Sequence, residues 1–203
     1  MPVPLAPEIS LHLAEESLGL FDLTGGEFRS DEPPPFWAFV WAGGQALARY
    51  VLDHPEEVRG RRVLDVATGS GVAAIAAARA GASGVHAVDL DPEAARAALR
   101  NAAANGVRVD ARAGDADAAD DADVVLAGDV FYSPSVAGRM TAVLRRHAAR
   151  GARVLVGDPG RGYFPDRLFA PVARYDVPVR AALEDAESLV TRVWEMRTTN
   201  CAG

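Results

Sequence analysis

Lysine is absent: all 21 basic side chains among the 203 residues are arginine. Alanine is abundant beside them, which reads as a codon composition rich in G and C. Cysteine is nearly absent as well. Cys201 stands alone, so no intramolecular disulfide can form, as expected of a reducing cytoplasm. No apolar run approaches the ~18 residues that span a membrane, because Arg or Asp interrupts each candidate. The opening Met-Pro-Val-Pro-Leu-Ala-Pro-Glu has no basic stretch followed by an apolar one, so no signal peptide is expected. A basic stripe is missing too. The net charge is −7 and the pI 5.1, which argue against a nucleic-acid binder. His12, His54, His86 and His147 show no metal-ligand spacing, and no metal is expected.

What remains is the composition of one soluble domain: 49% hydrophobic and 24% charged residues, in a chain long enough to bury roughly 70% of its unfolded surface. Apolar positions predict an N-terminal helix from Glu8 to Leu18. Asp31-Glu32-Pro33-Pro34-Pro35 is a loop, since prolines neither continue a helix nor pair in a central strand. The aromatic cluster Phe36, Trp37, Phe39, Trp41 follows, then Gly43-Gly44 and a helix from Gln45 to Leu52.

From residue 56 onward, short apolar strands alternate with helices. Strands are expected at Arg62–Val66, Val85–Asp89, Val107–Ala111, Val124–Leu126 and Arg153–Val156. Helices are expected at Val72–Ala80, from Asp91-Pro92 to about Asn105, at Ser135–Ala149 and, briefly, at Phe164–Phe169. Two later strands lie near Arg174–Val179 and Leu189–Met196. Brief apolar strands joined through helices mean a parallel sheet covered on both faces. The expected fold is α/β: a Rossmann-like doubly wound sheet, mostly parallel with an antiparallel C-terminal strand, in a single domain. Residues 1–55 form a helical and aromatic segment packed on a core of residues 56–203.

In such sheets ligands bind beyond the carboxyl ends of the strands. Four successive strand ends carry an acid: Asp65, Asp89, Asp115 and Asp129. After Asp65 come Gly69 and Gly71, where the backbone can turn tightly and approach a ligand. An acid ahead of the glycines repels a diphosphate and welcomes a cationic ligand. Asp89 can accept both hydroxyls of a ribose. Asp115-Ala116 is placed for an adenine amino group. Asp110, Asp117, Asp120, Asp121 and Asp123 read as a solvated acidic edge.

The stretch Asp65-Val66-Ala67-Thr68-Gly69-Ser70-Gly71 resembles the first motif of class I methyltransferases that use S-adenosylmethionine (SAM), with Ala67 in place of a glycine. Val63–Gly71, Asp89–Pro92 and Asn101–Gly106 resemble protein methyltransferases, including the ribosomal protein L11 type. Asp129-Val130-Phe131-Tyr132 is similar to the tetrad of the seven-β-strand lysine methyltransferases called family 16. The segment from Pro35 to Leu47 and the loop Gly157-Asp158-Pro159-Gly160-Arg161 resemble the electron transfer flavoprotein β-subunit lysine methyltransferases, with Ala42 where proline is usual.

The resemblance implies methyl transfer from SAM, leaving S-adenosylhomocysteine, to a lysine ε-amine of a partner protein. Electron transfer flavoprotein β-subunit is the expected partner, and the enzyme is expected to act as a monomer without nucleic acid or membrane. Expected cofactor contacts are Trp41, Asp65, Ala67, Gly69, Gly71, Asp89, Leu90, Asp115, Ala116 and Asp129. Asp129 would orient the amine, while Phe131 and Tyr132 would exclude water and face the cation with their rings. Trp37 is read as a packing staple. Arg161 and Tyr163 would meet the partner, or Arg161 would bond Asp158. The absence of lysine means that the chain cannot methylate its own side chains. Alternatives are a nicotinamide-type small-molecule N-methyltransferase, a ribosomal protein methyltransferase, and a SAM-binding module without activity. The acidic charge and the missing N-P-P-Y/F tetrad oppose a nucleic-acid methyltransferase.

Overall fold

The computed structural model describes residues 1–15, 34–116 and 122–197. Seven strands form one sheet in the order β3-β2-β1-β4-β5-β7-β6. They are β1 (Arg62–Val66), β2 (Gly84–Asp89), β3 (Asp110–Ala113), β4 (Val124–Gly128), β5 (Arg153–Asp158), β6 (Phe169–Pro178) and β7 (Ser188–Met196). Strands β1 to β5 pair in parallel, whereas β7 runs antiparallel between β5 and β6. The strand order reverses between β1 and β4, so a crevice opens beyond their carboxyl ends. This is the expected single-domain fold.

The helices are α1 (Ala42–Asp53), α2 (Val72–Arg79), α3 (Pro92–Ala104), α4 (Pro134–Ala149) and the short α5 (Ala181–Glu184), the last of which sequence reading missed. The central strands are almost wholly buried because helices cover both faces. Asp91 caps α3 by accepting from the Glu93 amide at 2.8 Å, with Pro92 at the first helical position. One core cluster lies against α1 and α2, and the other against α4.

Three expectations fail locally. Residues 8–15 are not helical; residues 16–18 of that expected helix lie outside the described residues. Ile9 and Leu11 are buried and Leu13 partly so, a spacing of two that belongs to extended chain. Asparagines within α3 and at its C-terminal cap hold this segment. Asn105 Oδ1 accepts from the Ser10 amide and Asn101 Oδ1 from the His12 amide, at 3.0 and 2.7 Å. The helix expected at Phe164–Phe169 is only a 3-10 turn, Asp166–Leu168, after which Phe169 begins β6. The third strand begins at Asp110 rather than Val107. Within the acidic edge, Asp123 is bound to Arg62, which holds its carboxyl down at about 2. Asp117, Asp120, Asp121 and Cys201 lie outside the described residues.

Candidate active site

Glycines bring α1 onto the strand ends. A Cβ on Gly43 would collide with the carbonyl oxygen of Gly157 at the end of β5, and one on Gly157 with that of Gly43. A Cβ on Gly128, at the end of β4, would stand 2.8 Å from the Gly44 nitrogen. Only backbone fits at these crossings. The first turn of α1 therefore lies directly over the carboxyl ends of β4 and β5.

Trp41 precedes this turn and gives it no side-chain cap. Asp129 supplies one from across the sheet. Its Oδ2 accepts from the amides of Gly43 and Gly44 at 2.5 and 3.2 Å, and its Oδ1 accepts from Arg161 Nη2 at 3.0 Å. The backbone of Asp129 is left-handed, with φ 55°, a conformation that Asp tolerates better than most residues. Burial pushes its carboxyl up to about 6, against the pull of Arg161.

Beyond the strand ends lies a cleft of about 650 Å³. Ala67, Gly69, Asp89, Leu90, Asp115, Ala116 and Asp129 line it, together with Trp41 and Tyr132. Asp89 accepts from the Gly69 amide at 3.0 Å and the Asp91 amide at 3.1 Å, one on each oxygen. Each oxygen keeps acceptor capacity for a further donor. Burial raises this carboxyl against those two bonds. Leu90 is 62% exposed on the cleft wall. At the other side the Phe36 ring lies between those of Trp41 and Tyr132, with centroids 5.9 and 5.7 Å from its own. Burial, and then the Asp89 charge, raise the Tyr132 phenol, so it stays protonated at neutral pH.

Four expected roles are redistributed. Asp65 is buried and does not line the main cleft; it borders a small recess beside it. Its Oδ2 accepts from the Thr68 hydroxyl at 2.6 Å and the Ala74 amide at 3.2 Å, so it braces the loop and the start of α2. Gly71, with φ 83°, is also off the main cleft; a Cβ there would stand 2.9 Å from Ala98, so it serves the packing of α2 on α3. Phe131 is wholly buried and packs edge-on against Phe164 and Phe169 at 5.2 and 6.1 Å, so it belongs to the core, while its neighbour Tyr132 faces the cleft. Arg161 does not bond Asp158 through its guanidinium. Asp158 Oδ1 instead accepts the backbone amides of Gly160 and Arg161, both at 2.7 Å.

Other cleft residues escaped sequence reading. Trp37, read as a staple, lines the cleft. So do Val136, Met140 and Val143 of α4, an apolar wall that looks like ordinary core in the sequence. Arg139 of the same helix pairs with Asp115 at 2.6 Å. Arg161 is held by both oxygens of Glu184, at 2.6 and 2.9 Å, and stacks over the Trp41 ring at 6.0 Å. The loop carrying Arg161 was visible as a motif, but Glu184 had no signal beyond being an acid.

With this geometry in view, relatives become informative. The protein named electron transfer flavoprotein beta subunit lysine methyltransferase from Danio rerio is 38% identical over 200 residues, covering 94% of this chain and 76% of its own length. Its namesake from Xenopus laevis is 36% identical, covering 94% of this chain and 80% of its own. The chain belongs to the electron transfer flavoprotein β-subunit lysine methyltransferase family. It is a SAM-dependent methyltransferase. The family model described as ribosomal protein L11 methyltransferase (PrmA) matches residues 45–130. Among solved structures, an RNA methyltransferase from Salinibacter ruber in complex with S-adenosyl-L-homocysteine shares the fold, with a TM-score of 0.55 at 23% identity over 76% of this chain and 91% of that one.

The cleft fits the methyl donor of this family. Its volume lies within the roughly 300–1,000 Å³ of small-molecule sites. It joins apolar walls to a partly buried carboxylate, Asp89, with lone pairs to spare.

Proposed function

We propose that the chain methylates a lysine ε-amine of electron transfer flavoprotein β-subunit, with SAM as donor and S-adenosylhomocysteine as product and without a metal. The observation that supports this best is the 38% identity over nearly the whole chain to a relative carrying that name. It extends beyond the donor half into the Asp129–Tyr132 and Gly157–Arg161 segments, which meet at the cleft. The ribosomal-protein match spans only residues 45–130 and so stops short of the Gly157–Arg161 loop. It speaks for the donor site more than for the acceptor. A small-molecule acceptor is less favoured, because Tyr132 is half exposed and opens the cleft to a protein chain. The same reading takes the enzyme as a cytoplasmic monomer acting away from nucleic acid and membrane; the charge of −7 supports keeping it from nucleic acid.

When bound, SAM supplies a methyl group already activated by its sulfonium. The chain's own residues bind and orient. Asp89 would take the ribose hydroxyls; Leu90, Val136 and Met140 would flank the base. Asp129 cannot serve as a free general base, since both its oxygens are engaged with Gly43, Gly44 and Arg161. It presents a fixed negative charge at the floor of the acceptor path. Tyr132 offers a ring face to the incoming ammonium and shields it from water. Partial desolvation beside these rings lowers the lysine pKa, and the proton leaves through the open mouth. Alignment of amine and methyl supplies much of the rate.

The test is incubation with labelled SAM and purified electron transfer flavoprotein, followed by peptide mapping. Label on a β-subunit lysine is expected. Label on another protein, with the flavoprotein blank, would refute the acceptor.

A further inference from the structure

Glu184 ends α5, the connection between β6 and β7, and Asp185 reverses the chain behind it with φ 49°. Its side chain is only 9% exposed, which is unusual for a glutamate on a short surface connection. Its two oxygens grip Arg161 through Nη1 and Nη2, the planar two-point arrangement that fixes a guanidinium best. The same Nη2 also reaches Asp129 Oδ1. The guanidinium is thus shared between two carboxylates, one on the cleft and one behind it.

The charges around Asp129 can be named element by element. Helix α1 brings the Gly43 and Gly44 amides, β5 and its loop bring Asp158 and Arg161, and α5 brings Glu184. Asp158 Oδ2 is buried and has no hydrogen-bond partner among the described residues, while its Oδ1 accepts the Gly160 and Arg161 amides; burial raises this carboxyl against those two bonds. One guanidinium is thus set among three carboxyl groups and bonds two of them, Asp129 and Glu184.

We propose that Glu184 is a positioning residue for methyl transfer, holding Arg161 against Asp129 and giving the cluster an excess of carboxyl groups over guanidinium that the lysine ammonium meets on entering the cleft. The proposal rests on lysine as the acceptor. Without the Glu184 charge, Arg161 would compensate Asp129 more fully, and the cleft would attract a cation less. The connection between β6 and β7 thereby sets the electrostatics of a site that it does not line.

The test compares wild type with Glu184→Gln, which keeps the shape and removes the charge. Carbon NMR of the Asp129 carboxyl reads the coupling without any acceptor. Its titration midpoint is expected to fall by on the order of one pH unit, because Arg161 no longer divides its field. In methyl transfer, KM for the acceptor is expected to rise about tenfold, the factor equivalent to one pH unit, with kcat within about twofold. Glu184→Asp, which keeps the charge, is expected to restore much of the loss. An unchanged Asp129 midpoint together with an unchanged KM in Glu184→Gln would overturn the proposal. If the wild type labels no lysine, the acceptor reading fails, while the NMR titration still decides whether Glu184 acts on Asp129.

Discussion

Asp129 caps helix α1 through the amide of Gly43, which donates to its Oδ2 at 2.5 Å although the two residues are 86 positions apart. One carboxylate thus closes a helix end and forms the floor of the cleft. Structure and chemistry separate by substitution. Asp129→Asn keeps an oxygen to cap α1 but loses the charge; it is expected to fold with a Tm near wild type and to lose methyl transfer at least tenfold. Asp129→Ala loses both and is expected to cost about 3 kcal/mol, the scale for breaking a buried charge network from one side. Thermal melts and transfer rates on the two variants check this. An active Asp129→Asn would show that the charge is dispensable.

Phe131 and Tyr132 are adjacent and differ in role because the strand end turns them to opposite sides. Phe131→Ala is expected to destabilise by about 3–5 kcal/mol, as deleting a buried ring does. Tyr132→Ala, on a half-exposed ring, is expected to leave the melting point within a few degrees and to raise the acceptor KM. Denaturant unfolding beside kinetics separates them; the reverse pattern would place Phe131 at the site.

Asp65 makes stability depend on pH. Burial pushes its carboxyl up to about 7, above the ordinary value of 3.8 that it has in the unfolded chain. Between these two values the folded state binds more protons than the unfolded one, so stability falls as pH rises through that window. Asp65→Asn, which keeps an acceptor for Thr68 and Ala74, is expected to flatten this slope between pH 4 and 7. Chemical denaturation at several pH values reads it, and an equal slope in the variant would refute the assignment.

Ala67 holds φ at 53° in the loop where the related motif has glycine. An L-residue there costs roughly 1–2 kcal/mol, partly offset by the extra freedom that glycine gains in the unfolded chain. Ala67→Gly is therefore expected to stabilise by up to about 1 kcal/mol without loss of transfer. Gly43→Ala goes the other way. Its Cβ meets the backbone oxygen of Gly157, which no rotamer change can relieve, and about 3 kcal/mol or more should be lost. Melting temperatures of both variants check the pair.

Much of this was legible in the chain. The buried strands and the caps Asp91-Pro92 follow from local patterns, and the acids at strand ends follow from the fold they imply. Asp89 and Tyr132 stand on the cleft as their positions suggested. What failed depends on direction or on distant contacts. Whether Asp65 points into the cleft or back toward α2 is decided by Thr68 and the amide of Ala74, and a strand pattern does not encode that. The same holds for Phe131 against Tyr132. Ile9, Leu11 and Leu13 read as a helix when joined to Leu18, but their spacing of two belongs to extended chain. Glu184 was invisible because its partner Arg161 lies 23 residues earlier and a lone acid carries no motif.

Methyl transfer in the cleft beyond β1, β2 and β4 requires that the donor bind there through Asp89. Calorimetric titration of S-adenosylhomocysteine into wild type and Asp89→Ala tests it most directly, with a thermal melt to show that the variant is folded. Affinity is expected to be weaker by at least about tenfold in the variant, as follows from losing hydrogen bonds to a charged acceptor. Equal affinity in a folded Asp89→Ala would contradict it.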